Sequence, residues 1–255
     1  MQKLTLVKVG GKVVENQDSL SSLLLHFSNI IGPKVLIHGG GRSATTLAKQ
    51  MGIETTMVDG RRITDKEMLK IVTMVYGGLL NKNIVAKLQA LGIQALGLTG
   101  ADLNYMKAVK RPAVDIDYGF VGDITEVNVK ILCPLLEQNI VPVLSPLSHD
   151  GLGQILNTNA DTIAAEAAIA FTKYFKTELI YCFEMPGVMK NPKDKNSVIS
   201  SLTLREFKKY QNEGIINSGM IPKLDNSFRA LGKGVDKIRI TNIENLKTGG
   251  TILNL

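Results

Sequence analysis

Short apolar runs that end in glycine or turn residues and give way to segments of helical spacing recur along this chain, and no other feature restricts its fold so strongly. VLIHGGG at 35–41 leads into RSATTLAKQM, IQALGLTG at 93–100 follows a long helical stretch over 65–91, and NIVPVLSPL at 139–147 follows VKILCPLLEQ. Runs that are apolar throughout suit strands buried on both faces, and the segments between them have the period of amphipathic helices. Strands alternating with helices build a sheet covered on both sides, so the predicted class is α/β with a mainly parallel central sheet. The stretch 105–123, with KAVKRP and DIDYGFVGD, lacks helical pattern and reads as a hairpin or excursion.

A second section starts near Thr172, where the helical run TIAAEAAIAF ends and the strand candidate ELIYCFE follows. Helical stretches begin near Leu202 and Ile221 after the polar loop NPKDKNS, and VDKIRITN and GTILNL read as closing strands. The expected layout is one continuous sheet bearing two lobes, 1–173 and 174–255. At 255 residues and 44% apolar content the chain can fill such a core. It carries no apolar run suited to a signal peptide and none near the ~20 residues of a membrane span, so a soluble cytoplasmic protein is expected, away from membranes. Cys133 and Cys182 lie among apolar neighbours and read as buried, reduced thiols. The net charge of +7 is spread over 30 scattered basic residues, which suits small anionic ligands. With 5% aromatic residues and no Trp, stacking platforms for nucleic acid are not expected.

Ligands of open α/β sheets sit beyond the carboxyl ends of the strands. Three turns there are rich in glycine: Gly10-Gly11, Gly39-Gly40-Gly41 and the stretch 97–100. Unhindered backbone N–H groups at such turns suit a phosphate, although glycine after a strand is also common for steric reasons alone. The sequence contains neither G-x-x-x-x-G-K-[ST] nor G-x-G-x-x-G, so phosphate is not handled through either of those loops.

Lys8 stands out because a cation inside a central strand is costly unless it is paired or faces a polar cavity; the alternative is an edge strand with a solvated lysine. NTNAD at 157–161 offers three N-cap types where one cap needs one, leaving two for other contacts. Arg61 and Arg62, in DGRRITD, are either a solvated turn or an arginine fork for a carboxylate ahead of a helix capped by Thr64 or Asp65. Lys223, in GMIPK, stands in a first helical turn where the dipole disfavours a cation, so it is solvated or offset by an anion. His38 beside the triple glycine has no further mark of a base and reads as structural.

Taken in chain order, KVGG, IHGGG, GRRIT, NKN, GQILNTNAD, the GV of MPGV and GMIPK before a helix resemble the amino-acid kinase family over essentially the whole chain. The resemblance implies an open αβα sandwich with a mainly parallel central sheet, of carbamate kinase-like form, with 1–173 binding an acylated amino acid and forming a homodimer, and 174–255 binding ATP. The implied reaction moves a phosphoryl group from ATP, carried with Mg2+, to the γ-carboxylate of N-acetyl-L-glutamate, the second step of arginine biosynthesis. Position by position, Lys8 and Lys223 match two catalytic lysines and Asp161 the carboxylate that holds them. Gly11 and Gly40 match backbone donors to the migrating group, with Gly10, Gly39 and Gly41 shaping those turns. Arg62, Asn157 and Asn159 match substrate contacts, and Gly187 and Val188 match the nucleotide side. IYCFEMPGV departs from the usual LLTDVPGV, setting Phe183-Glu184 where the family has Thr-Asp, so Glu184 is the nucleotide-side candidate there. The chain begins directly at its first strand, without the extra helix that interlocks arginine-inhibited hexamers, and a homodimer without arginine feedback is expected. An N-succinyl-L-glutamate kinase, another small-acid kinase and a non-catalytic sensor are the alternatives. For a succinyl carboxylate, Arg61, Lys107, Lys110 and Arg111 are the available cations.

Overall fold

The computed structural model describes residues 1–255 except 59, 192 and 217–219. Asp59 of DGRRITD and Gly219 of GMIPK therefore lie outside the described residues. The chain opens with β1 (Lys3–Val9), α1 (Gly11–Glu15), α2 (Gln17–Ser28), β2 (Lys34–His38) and α3 (Gly41–Gln50). A short hairpin of β3 (Met57–Val58) and β4 (Arg61–Arg62) follows, then α4 (Lys66–Val72), a π-helical segment (Thr73–Leu80), α5 (Asn81–Ala90) and β5 (Ala95–Leu98). The middle holds β6 (Met106–Lys110), β7 (Gly122–Val127), α6 (Cys133–Glu137), β8 (Val141–Leu144), β9 (Leu147–His149), β10 (Ile155–Asn157) and α7 (Ala160–Phe171). The last section is β11 (Lys176–Cys182), β12 (Ser201–Thr203), α8 (Leu204–Asn212), α9 (Ile221–Gly232), β13 (Lys237–Thr241) and β14 (Thr251–Asn254).

Among the described residues the strands form an eight-stranded sheet in the order β12-β14-β13-β11-β1-β2-β8-β5. It is parallel apart from the antiparallel β13–β14 pair. Its central strands are buried on both faces, and their side chains alternate between two cores. Leu4 and Leu6 of β1, with Val35 and Ile37 of β2, pack on the side of α7 and α9. Val7 and Val9, with Leu36, pack on the side of α2, α3 and α5. The alternation puts Lys8 on the α7 face and His38 on the α5 face.

The excursion read at 105–123 is the antiparallel pair β6–β7, which joins β9 and β10 in a separate four-stranded sheet. The run 139–147 is two strands, because Pro146 lacks the N–H that would extend the ladder, and β9 leaves the large sheet for the small one. The helical stretch over 65–91 is continuous and capped by Asp65, whose Oδ1 accepts from Met68 N at 2.7 Å. Its middle, however, winds as eight residues of π-helix. Bonds from i to i+5 accommodate an extra residue and turn the following face. Met68 and Val72 before the segment and Ile84 and Leu88 after it thus reach the same core. Cys182 is buried as expected, whereas Cys133 is only partly covered on its short surface helix; both are free thiols.

Two single bridges tie the hairpin region to the site. Thr64 pairs with Gly119 and Val121 with Asn157. Gly119 has φ +69, and a Cβ there would overlap the Thr64 carbonyl. Gly119→Ala is expected to reduce unfolding free energy by more than about 1 kcal/mol. Urea titration measures it, and an unchanged midpoint would show that the loop can shift aside at no cost.

Candidate active site

Lys8 is the penultimate residue of β1, 7% exposed, on the face that meets α7. The helix starts where it does because Asn159 caps it, accepting from Asp161 N at 2.8 Å. That cap sets Asp161 in the first turn, directly over the end of β1. Lys8 Nζ lies 2.7 Å from Asp161 Oδ1, and Lys223 Nζ lies 2.5 Å from Asp161 Oδ2. Lys223 comes from the first turn of α9, where a proline also stands, and its ammonium lies 5.3 Å from the centre of the Tyr181 ring. The anion that its helix position called for is therefore Asp161. Burial opposes ionisation of that carboxyl, but the charges of Lys8 and Lys223 outweigh it and hold the group well below the usual carboxylate range. Burial likewise draws the Lys223 pKa down, with Asp161 opposing. Two cations share one anion, so the cluster retains an excess positive charge.

The turns after β1 and β2 lie side by side because the strands are neighbours. A Cβ on Gly39 would stand 3.4 Å from Gly11 N, one on Gly11 would stand 3.6 Å from Gly40 N, and one on Gly40 would run into Leu80. The space so kept open belongs to a cavity of about 220 Å³, bordered by Lys8, Gly11, Gly39, Gly40, Gly41 and Asp161. Arg62, Asn157 and Asn159 line the same cavity. Arg62 is 7% exposed. Its Nη2 donates to Gly41 O at 2.7 Å and to Thr45 Oγ1 at 2.8 Å. Its Nη1 is buried and makes no hydrogen bond among the described residues. Asn157 Nδ2 donates to Thr64 Oγ1 at 2.9 Å. Asn157, Asn159 and Asp161 of NTNAD thus divide into a wall residue, a cap and the shared carboxylate.

Other candidates fall elsewhere. The turn at 97–100 does not border this cavity: Gly97 is filled by the Asn81 side chain, and Gly100 N bonds Leu147 O at 2.7 Å. The expected third phosphate turn is a packing turn, because β5 is the sheet edge and lies two strands beyond β2. Gly10 closes against Phe183. Glu184 is exposed and pairs with Lys12 at 3.0 Å. Gly187 and Val188 border a smaller apolar cavity with Met189, Ile216 and Met220, of about 40 Å³. Val188 N donates to Thr251 Oγ1 at 2.8 Å. His38 is fully buried and points away from the large cavity, and burial pushes its pKa down to about 4. Tyr76, Arg111 and Asp123 also border the large cavity, and of these the sequence points only to Arg111. No local pattern marked the tyrosine, because the residues on either side of it keep ordinary helical spacing.

The region 3–242 matches the amino acid kinase family. A protein of Phocaeicola vulgatus named acetylglutamate kinase is 57% identical over 253 residues, covering 99% of this chain and 98% of that protein. A Parabacteroides distasonis protein of the same name is 58% identical, over 98% of each chain. The solved carbamate kinase of Giardia lamblia bound to AMP-PNP shares the fold at TM-score 0.70 and 13% identity, over 99% of this chain and 98% of that one. Because the family match runs over residues 3–242, nearly the whole chain, the chain belongs to the amino acid kinase family.

Proposed function

We propose that this protein transfers the γ-phosphoryl group of MgATP to the γ-carboxylate of N-acetyl-L-glutamate, giving N-acetyl-L-glutamyl 5-phosphate, the second step of arginine biosynthesis. The relatives named acetylglutamate kinase at 57% and 58% identity support the reaction. The observation that carries the mechanism is the pair of ammonium groups held on Asp161 beside two glycine turns.

A loose phosphoryl-transfer transition state needs alignment and charge neutralisation more than covalent help. The attacking carboxylate is already ionised, so no general base is required. A carboxylate oxygen bonds to phosphorus as the bond to the β–γ bridging oxygen breaks, and that electron pair leaves with ADP. Two anions repel at contact distance, so cations are needed around the transferring group. Lys8, from the strand next to Gly11, neutralises the migrating oxygens, and Lys223 faces the leaving side. Asp161 holds both amines in place, while the N–H groups of Gly11 and Gly40 receive the phosphoryl oxygens. The unpartnered Arg62 Nη1 takes the α-carboxylate of the acid, with Asn157 and Asn159 as further polar contacts.

On this reading residues 1–173 bind the acid and form a homodimer, and 174–255 bind the nucleotide, with Gly187 and Val188 on the adenosine side and Glu184 near it. Mg2+ arrives on the ATP phosphates. Among the described residues there is no cluster of three or more His, Cys, Asp or Glu suited to a metal ion, and Mg2+ commonly rides on substrate phosphates. The reading places the enzyme in the cytoplasm; separately, no helix among the described residues is long and apolar enough to cross a membrane.

One observation favours a second acid. Arg111, held by Asp123, borders the same cavity, and its Nη1 is also buried without a hydrogen bond among the described residues. A second spare guanidinium N–H would suit the extra carboxylate of N-succinyl-L-glutamate.

A hydroxylamine trap for acyl phosphate, with ATP and each acid in parallel, separates these readings. Product with N-acetylglutamate is expected; faster product with N-succinylglutamate would transfer the assignment to that acid, and none with any acid would leave a sensor. Lys8→Ala is expected to reduce kcat about 100-fold or more while the protein stays folded, as loss of a transition-state charge contact does; full turnover would remove Lys8 from the mechanism. Arg62→Ala is expected to raise KM for the acid with a smaller change in kcat. An unaltered KM would mean that the guanidinium does not hold the acid.

A further inference from the structure

We propose that His38 and Asn81 are positioning residues, locking the peptide between Gly39 and Gly40 so that the Gly40 N–H is aimed into the phosphoryl-transfer space. This rests on the role given to that N–H in the proposed reaction.

His38 ends β2 on the face turned toward α5. Its Nδ1 stands 2.9 Å from the Gly39 carbonyl oxygen, and its Nε2 stands 3.2 Å from Nδ2 of Asn81, the first residue of α5. A carbonyl oxygen only accepts, so Nδ1 must carry the proton. The other side of the ring reaches the same answer independently. Asn81 Nδ2 lies 2.9 Å from the carbonyl oxygen of Val143 on β8, which fixes the amide nitrogen there as the donor. Its second hydrogen then points at Nε2, which must be bare to receive it. Two carbonyls from different segments dictate one proton position. The opposite tautomer would set N–H against N–H on one side and a lone pair against a carbonyl on the other, both buried and both unsatisfied.

The consequence passes through the planar trans peptide, in which C=O and N–H point in opposite directions. Tying the Gly39 oxygen back to His38 turns the Gly40 N–H away from the histidine, toward Gly11, whose added Cβ would lie 3.6 Å from Gly40 N. Burial keeps the ring neutral, with its pKa down at about 4, so the lock holds across the physiological range. The absence of a side chain at Gly97 makes room for the Asn81 amide, since a Cβ there would overlap it.

Nitrogen-15 spectra of the wild-type protein at neutral pH test the lock directly, since the chain has 3 histidines to resolve. His38 is expected with its proton on Nδ1 and a bare Nε2, and a proton on Nε2 overturns the proposal. In the kinase assay, His38→Leu is expected to cut kcat by about tenfold to a hundredfold, as misaligned reacting groups do, with KM for both substrates within about twofold. His38→Asn, whose amide nitrogen can replace Nδ1, is expected to recover most of the lost kcat. Wild-type kcat in the leucine variant, or an asparagine variant no faster than it, would overturn the proposal even if the tautomer were as expected. A wild-type protein that phosphorylates no acid would refute the kinase reading instead, and would leave the tautomer result standing.

Discussion

Two ammonium groups sharing one carboxylate at the carboxyl edge of the sheet organise everything around them. Removing Lys8 and Asp161 from water costs several kcal/mol per ion in general, and only close pairing offsets it. The pairing requires β1, α7 and α9 to meet at one point, which joins the first ten residues of the chain to its last fifty. Because the count of cations exceeds that of anions, the cluster is incomplete alone and favours an arriving anion. On the proposed reading, that excess charge draws in the nucleotide phosphates.

The glycine turns serve that cluster by leaving space. A P-loop wraps phosphate in one segment, whereas here two adjacent strands each end in a turn without side chains, and the opening lies between them. Any side chain at Gly40 would enter Leu80, and one at Gly11 or Gly39 would narrow the gap from the other side. The turns are held from beneath by different contacts: Arg62 takes the Gly41 carbonyl and His38 the Gly39 carbonyl. On the proposed reading, the backbone that donates to the reacting group is thereby fixed through its own oxygens.

Much of this is legible in the sequence. Lys8 was marked by its cost inside an apolar strand, Asp161 by a surplus of capping residues, and Lys223 by its place at the wrong end of a helix dipole. Each is a local misfit, and local misfits can be read from sequence because propensity and burial are local quantities. The π-helical turn at Tyr76 was not visible, since the residues on both sides keep ordinary helical spacing and the extra residue shows only once both faces pack. The turn at 97–100 looked like its two counterparts, and only strand order separates it from them. Arg111 could be named as a cation, but not set facing the cavity until β6 and β7 were folded beside β9.

The sequence by itself determined an αβα sandwich, a cation at the end of its first strand and glycine-rich exits that suit phosphate, because alternation, apolar runs and glycine sterics act over a few residues at a time. Only the tertiary structure decided that Lys8 and Lys223 share Asp161, that Arg62 keeps a buried N–H unpaired, and that one histidine proton is held between Gly39 and Asn81. Those facts depend on which distant segments meet. Strand order and helix packing set that, and no short window of sequence contains it.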